Sequence, residues 1–145
     1  DEVTYNMHII LRFEIEKGLV EGNLKAADVP AVWREKAKSY LGLDIQDDAL
    51  GALQDVHWSH GTIGYFPTYT LGNVYSAQLY SAIEKAIPDL DKQFASGNFA
   101  PFLGWLRKEI HQYGRTYQPE ELIEHATSAP VDSKYLLEHL RSKLN

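Results

Sequence analysis

Twenty-eight consecutive residues, Val56 to Ile83, contain no Asp, Glu, Lys or Arg, although charged residues make up 23% of the 145-residue chain. Trp58, Tyr65, Phe66, Tyr69, Tyr75 and Tyr80 all lie in this run. It is long enough to cross a bilayer, but His57, Ser59, His60, Thr62, Pro67, Asn73 and Gln78 interrupt it with polar and helix-breaking groups, so a membrane span is excluded. The segment is therefore expected to be buried in protein. It could form a central core helix whose tyrosine hydroxyls reach polar partners at its edge. It could equally wall a cleft, where tyrosine, histidine, serine and threonine supply neutral donors to a reaction that develops charge.

Helical periodicity and capping signals cover most of the rest, and the expected fold class is all-α in a single domain over residues 1–145. From Val3 to Val20, Ile9, Phe13 and Val20 mark one side of a helix, with Ile10, Leu11, Ile15 and Leu19 broadening the stripe. Asp28 as N-cap, Pro30 in the first turn and Gly42 as C-terminal stop frame a second helix through Val32, Trp33, Ala37 and Tyr40. Asp44 to Leu53 reads as an acidic loop with one helical turn. Pro67 opens a long helix to about Ala86. Shorter helices fit Asp89 to Ser96, Pro101 to Tyr113, Pro119 to Thr127 and Asp132 to Leu144. No stretch alternates with the two-residue period of a strand.

A net charge of -6 and a pI near 5.4 exclude the basic footprint of a nucleic-acid binder. The chain has no cysteine, so disulfide scaffolds and thiolate metal sites are excluded. A reducing, cytoplasmic compartment is the expectation. The opening Asp1-Glu2-Val3-Thr4 is not a signal peptide, and an acidic dipeptide running straight into a helical pattern reads as a cut from a longer chain. His57 and His60 stand three apart without a third ligand at a recognised spacing, and the HExxH zinc motif is absent from the sequence. His8 and Arg12 read as a structural pair. The acidic run from Asp44 fails as a calcium loop, because Ala49 stands where glycine is needed and Asp55 where glutamate is. No phosphate-binding glycine loop or serine-hydrolase elbow is present.

Gly51-Ala52-Leu53-Gln54-Asp55-Val56-His57-Trp58 matches the pattern Gly-x-x-Gln-Asp-x-His-Trp, and on it the chain resembles the thermostable carboxypeptidase (Taq) family. The opening from Asp1 resembles the continuation of that family's Ile-Arg-x-x-Ala-Asp element, with Asp1 as its last residue. Similarity continues through Gly64 to Tyr69, Leu71-Gly72-Asn73, Ile110 to Arg115 and Tyr135 to Leu137. The resemblance implies a larger helical zincin, a homodimer, that removes C-terminal residues from peptides with zinc or another divalent metal. This chain would be its C-terminal part, completed by an N-terminal remainder that carries the HExxH helix. Alone it would bind no metal and have no activity.

Related helical zincins carry a His-x-x-x-x-Tyr-x-x-x-Tyr pattern whose tyrosines reach toward the scissile carbonyl, and His60, Tyr65 and Tyr69 are similar to it. Tyr69 is then the first choice for an oxyanion donor, with Tyr65 and His60 behind it. His57 and Trp58 would line the pocket, while Gln54 and Asp55 orient the loop and Asp55 fixes the His57 tautomer. The alternative is a stand-alone helical interaction domain without chemistry.

Overall fold

The structure of the chain, a computed structural model, describes residues 2–144, and Asp1 lies outside them. It holds seven α-helices joined by short 3-10 turns, with no strand among the described residues, so the fold is all-α. The chain divides into two compact units, one ending at Leu71 and the next beginning at Gly72.

In the first unit, helix α1 (Tyr5–Val20) packs on helix α2 (Val29–Leu41). Their contact is a core of Leu11, Ile15, Val29, Trp33 and Ala37, with Leu19, Leu24, Ile45, Ala52 and Trp58 packed at its edge. The stripe read from the sequence needs correction here. Phe13 and Val20 are 42% and 70% exposed, while Leu11 and Ile15 are buried. Apolar residues surround α1 so broadly that periodicity alone leaves the inward face open, and the bulk of Trp33 selects it.

Helix α2 begins and ends where its capping residues place it. Pro30 sits in the first turn, where its missing N–H costs nothing, and Gly42 closes the helix at φ 68, the left-handed conformation that glycine adopts without strain. Asp28 occupies the N-cap position, but its side chain makes no capping bond, and it ends a 3-10 turn, Ala26–Asp28.

Two further 3-10 turns, Asp48–Leu50 and Ala52–Gln54, meet at Gly51. A Cβ at Gly51 would stand 3.1 Å from Ile45 and 3.4 Å from Trp33, so the motif's glycine lets this loop close onto α2. The acidic groups here act locally. Asp47 accepts the Ala49 N–H at 2.9 Å, and Asp48 pairs with Arg34.

Helix α3 (Pro67–Ala86) has the bounds expected from Pro67 and the helical pattern. The second unit continues from it through α4 (Leu90–Ala95), α5 (Ala100–Glu109), α6 (Pro119–Thr127) and α7 (Lys134–Ser142). Gln78, 1% exposed, ties this unit together. Its amide nitrogen donates to Thr127 Oγ1 at 2.9 Å and to the carbonyls of Ala129 and Pro130 at 3.0 and 3.1 Å, and its oxygen accepts the Asp132 N–H at 3.0 Å.

Candidate functional site

Between Asp55 and α3 the chain reverses at Gly61 and Gly64, both left-handed at φ 69 and 78. These reversals explain why the uncharged segment is not buried throughout as expected. Val56, Ile63 and Leu71 are exposed and Tyr65 is 46% exposed, while Phe66, Val74, Gln78 and Ile83 point inward.

The turn and the first residues of α3 bring His57, Tyr65 and Tyr69 together. The His57 ring lies 6.0 Å from Tyr65 in a stack and 5.8 Å from Tyr69 edge-on, and the two tyrosines meet edge-on at 5.3 Å. Phe66, buried behind them, sits 4.8 Å from the imidazole. Tyr65 precedes α3 and Tyr69 lies in its first turns, so the helix start fixes both phenols against one ring.

Hydrogen bonds run through this cluster as a chain. His57 Nε2 is 3.0 Å from the Tyr69 hydroxyl, and His57 Nδ1 is 2.7 Å from Asp55 Oδ1. The same Oδ1 accepts the His57 backbone N–H at 2.9 Å. Asp55 Oδ2 accepts the Arg12 Nε–H at 2.5 Å, and Arg12 Nη1 donates to the His8 carbonyl at 2.9 Å. Arg12 also lies over the Trp33 ring, 4.7 Å from its centroid. An ion pair from α1 thus anchors a loop histidine, which touches a tyrosine of α3.

The electrostatics follow from that chain. Burial pushes the Asp55 carboxyl up, since its side chain is 2% exposed, but the His57 backbone N–H, the Arg12 guanidinium and the His57 ring outweigh it, so it is held below the ordinary carboxylate range. The Tyr69 phenol is held above the usual tyrosine range by lost hydration first, then by Tyr65, Tyr5 and Asp55 nearby. It stays a neutral phenol at neutral pH.

The remaining residues singled out in the sequence stand elsewhere. His60 is exposed and directs its Nδ1 to the Val56 carbonyl at 2.7 Å, apart from the His57–Tyr65–Tyr69 group. Trp58 packs inward on Trp33 and Phe66 and donates to Glu16 at 3.2 Å. Gln54 is exposed and donates to the Ala49 carbonyl within its own loop. His8 meets Arg12 through its backbone carbonyl. Among the described residues no group of three or more His, Cys, Asp or Glu side chains is placed to hold a metal ion.

Sequence reasoning missed Arg12 as a member of the site and Glu16 as its support. Glu16 is buried in α1 and accepts both the Trp58 indole and the Gly64 N–H, fixing the turn on either side of His60. The available signal was a pair of opposite charges, Arg12 and Glu16, four residues apart on one side of a largely apolar helix.

Residues 1–144 match the family model described as Carboxypeptidase Taq (M32) metallopeptidase. Thermostable carboxypeptidase 1 of Pyrococcus furiosus is 44% identical over 143 residues, covering 99% of this chain and 29% of that protein. Its Thermus thermophilus counterpart is also 44% identical over 143 residues, with 99% and 28% covered. The Apo-Mg structure of Pyrococcus furiosus carboxypeptidase superposes with a TM-score of 0.95 at 43% identity, covering the whole of this chain and 29% of that one. The chain thus spans 28–29% of the length of the curated relatives it matches.

Proposed function

We propose, because this chain belongs to the carboxypeptidase Taq (M32) metallopeptidase family, that within its whole protein it forms one wall of the active site of a metallocarboxypeptidase acting on peptide C-termini. The observation that supports this is the Asp55–His57–Tyr69 chain beside Tyr65. It sets two phenols beside an imidazole oriented by Asp55, on a partly exposed surface where the Gly51–Trp58 motif meets the start of α3.

Hydrolysis of a peptide bond builds negative charge on the carbonyl oxygen, and fixed neutral donors in a dry site stabilise it. Tyr69 and Tyr65 are the donors on this wall, while His57 orients Tyr69 and Asp55 orients His57. His60 is the further candidate at the rim. A divalent metal, zinc by the family pattern, does not fit the residues present. Its ligands would come from the N-terminal remainder of the same protein, which would also cover the exposed apolar side chains around Tyr65. The intact enzyme would be a cytoplasmic homodimer, and this chain alone would be inactive.

The test is an assay of the full-length protein on N-blocked dipeptides and longer peptides, with and without a chelator. Stepwise release of C-terminal residues that the chelator abolishes is expected. A full-length protein that releases no C-terminal residue with any divalent metal overturns the proposal and leaves a helical interaction domain.

A further inference from the structure

We propose that Tyr69 is a conditional hydrogen-bond donor, switched by the protonation of His57, and that Arg12 is the positioning residue that sets the switch. The inference rests on the peptidase function proposed for this site.

It follows from counting hydrogens. An ionised carboxylate only accepts, and Asp55 accepts at both of its oxygens. Its Oδ2 takes the Arg12 Nε–H, and its Oδ1 takes both the backbone N–H and Nδ1 of His57. The 2.7 Å contact to Nδ1 therefore requires a hydrogen on Nδ1. A neutral imidazole with that tautomer has a bare Nε2, so the 3.0 Å contact to Tyr69 must be donated by the phenol.

A phenol has one hydrogen. While His57 is neutral, Tyr69 directs it at Nε2 and offers a reacting carbonyl oxygen only lone pairs. When His57 becomes an imidazolium, Nε2–H donates to the Tyr69 oxygen, and the phenol hydrogen is released to the cleft. Tyr65 differs. Its ring stacks on His57, but its hydroxyl forms no hydrogen bond among the described residues, so it can donate in either state.

The groups facing His57 are Asp55 from its own loop, Arg12 of α1 on the far side of that carboxylate, and the apolar Phe66 ring at 4.8 Å. Tyr65 and Tyr69 are neutral neighbours, and Tyr5 of α1 acts on Tyr69. Arg12 holds Asp55 in the rotamer that selects the His57 tautomer.

The experiment uses the full-length protein containing this chain, labelled with 15N-histidine, with His57→Gln as the subtraction that assigns the ring. At the pH where His57 is neutral, Nδ1 should carry the hydrogen. Arg12→Gln should free the Asp55 carboxylate to rotate and mix the two neutral His57 tautomers, and Arg12→Lys should restore the single wild-type tautomer. In turnover, the ratio of kcat between wild type and Tyr69→Phe should fall at least about tenfold as pH rises through the His57 titration. A hydrogen on Nε2, a ratio that stays flat across the titration, or an Arg12→Gln protein whose His57 tautomer is unchanged each overturns the inference. If the full-length protein hydrolyses no peptide, the functional proposal fails, while the tautomer and titration still decide the hydrogen count. The wild-type tautomer and the Tyr69→Phe profile need no Arg12 variant, so they decide the switch even if Arg12→Gln does not fold.

Discussion

Trp58 donates its indole N–H to the Glu16 carboxylate 3.2 Å away, across 42 residues of sequence. The other Glu16 oxygen takes the Gly64 N–H, so one buried side chain of α1 pins both ends of the turn that follows His57. Deleting an acceptor shared by two donors costs roughly 1–3 kcal/mol. Glu16→Ala should therefore lower the stability of the full-length protein by about 2 kcal/mol. Glu16→Gln, which keeps one acceptor oxygen, should lose roughly half as much. Denaturant titration followed by tryptophan fluorescence measures both, and an unchanged midpoint for Glu16→Ala would mean that the turn is held without Glu16.

Asp55 couples stability to pH with a definite sign. Its folded value is depressed, so its contribution is complete above the unfolded carboxylate value of about 3.9 and disappears as pH falls through the folded value. Asp55→Asn removes that contribution and leaves Arg12, 19% exposed, without its counter-charge. Breaking a buried pair in this way costs about 3 kcal/mol near pH 7. Thermal scans should show a large gap between wild type and variant near neutrality that narrows below about pH 4. A gap that does not change with pH would separate the ion pair from folding.

How much of this was legible in the sequence depends on how far apart the partners lie. Pro67 and the helical pattern give α3 its bounds, and Pro30 with Gly42 give α2 its bounds, because capping is decided within one turn. The Asp55–His57 bond was also legible, since its partners are two residues apart. Arg12 and Glu16 were not, because their partners are 42 to 48 residues away and only tertiary packing brings them together. The apolar stripe of α1 includes Phe13 and Val20, which are exposed, because the inward face is chosen by Trp33 on another helix. The uncharged segment was expected to be buried because charge is a good guide to exposure, yet the two glycine reversals leave Val56, Ile63 and Tyr65 exposed.

Gln78 offers a test confined to the second unit. Its amide makes four bonds, one to Thr127 at the end of α6 and three to the link between α6 and α7, and replacement by alanine leaves two partly buried carbonyls and an N–H without their partner. A loss of about 2–3 kcal/mol is expected for Gln78→Ala. Gln78→Glu keeps the shape but turns a carboxylate toward the Ala129 and Pro130 carbonyls, so it should be worse than alanine at neutral pH. It should recover as pH falls toward about 4.3, the unfolded glutamate value, because the carboxyl facing two carbonyls protonates above that value in the folded protein and regains one donor. Hydrogen exchange at the Asp132 amide reads the local effect directly, and retained protection in Gln78→Ala would show that another group holds the link.

Tyr69→Phe in the full-length enzyme separates a catalytic phenol from a structural one. Removing one oxyanion donor costs about 10²- to 10³-fold in kcat at comparable acyl-transfer sites, roughly 3 to 4 kcal/mol. A tyrosine that serves only to hold His57 would lose a net hydrogen bond of about 1 kcal/mol, seen as lower stability with near-normal turnover. The measurement belongs on the acid side of the His57 titration, where the imidazolium leaves the phenol hydrogen free for substrate. There kcat should fall while KM and melting temperature hold, the pattern of an interaction made in the transition state alone. Phe66 and Tyr65 pack around His57 independently of the Tyr69 hydroxyl, so the ring geometry should survive the substitution. If turnover persists, Tyr65→Phe is the decisive second variant, because its hydroxyl donates without waiting for His57. Full activity in both variants would mean that this wall supplies no donor to the reaction.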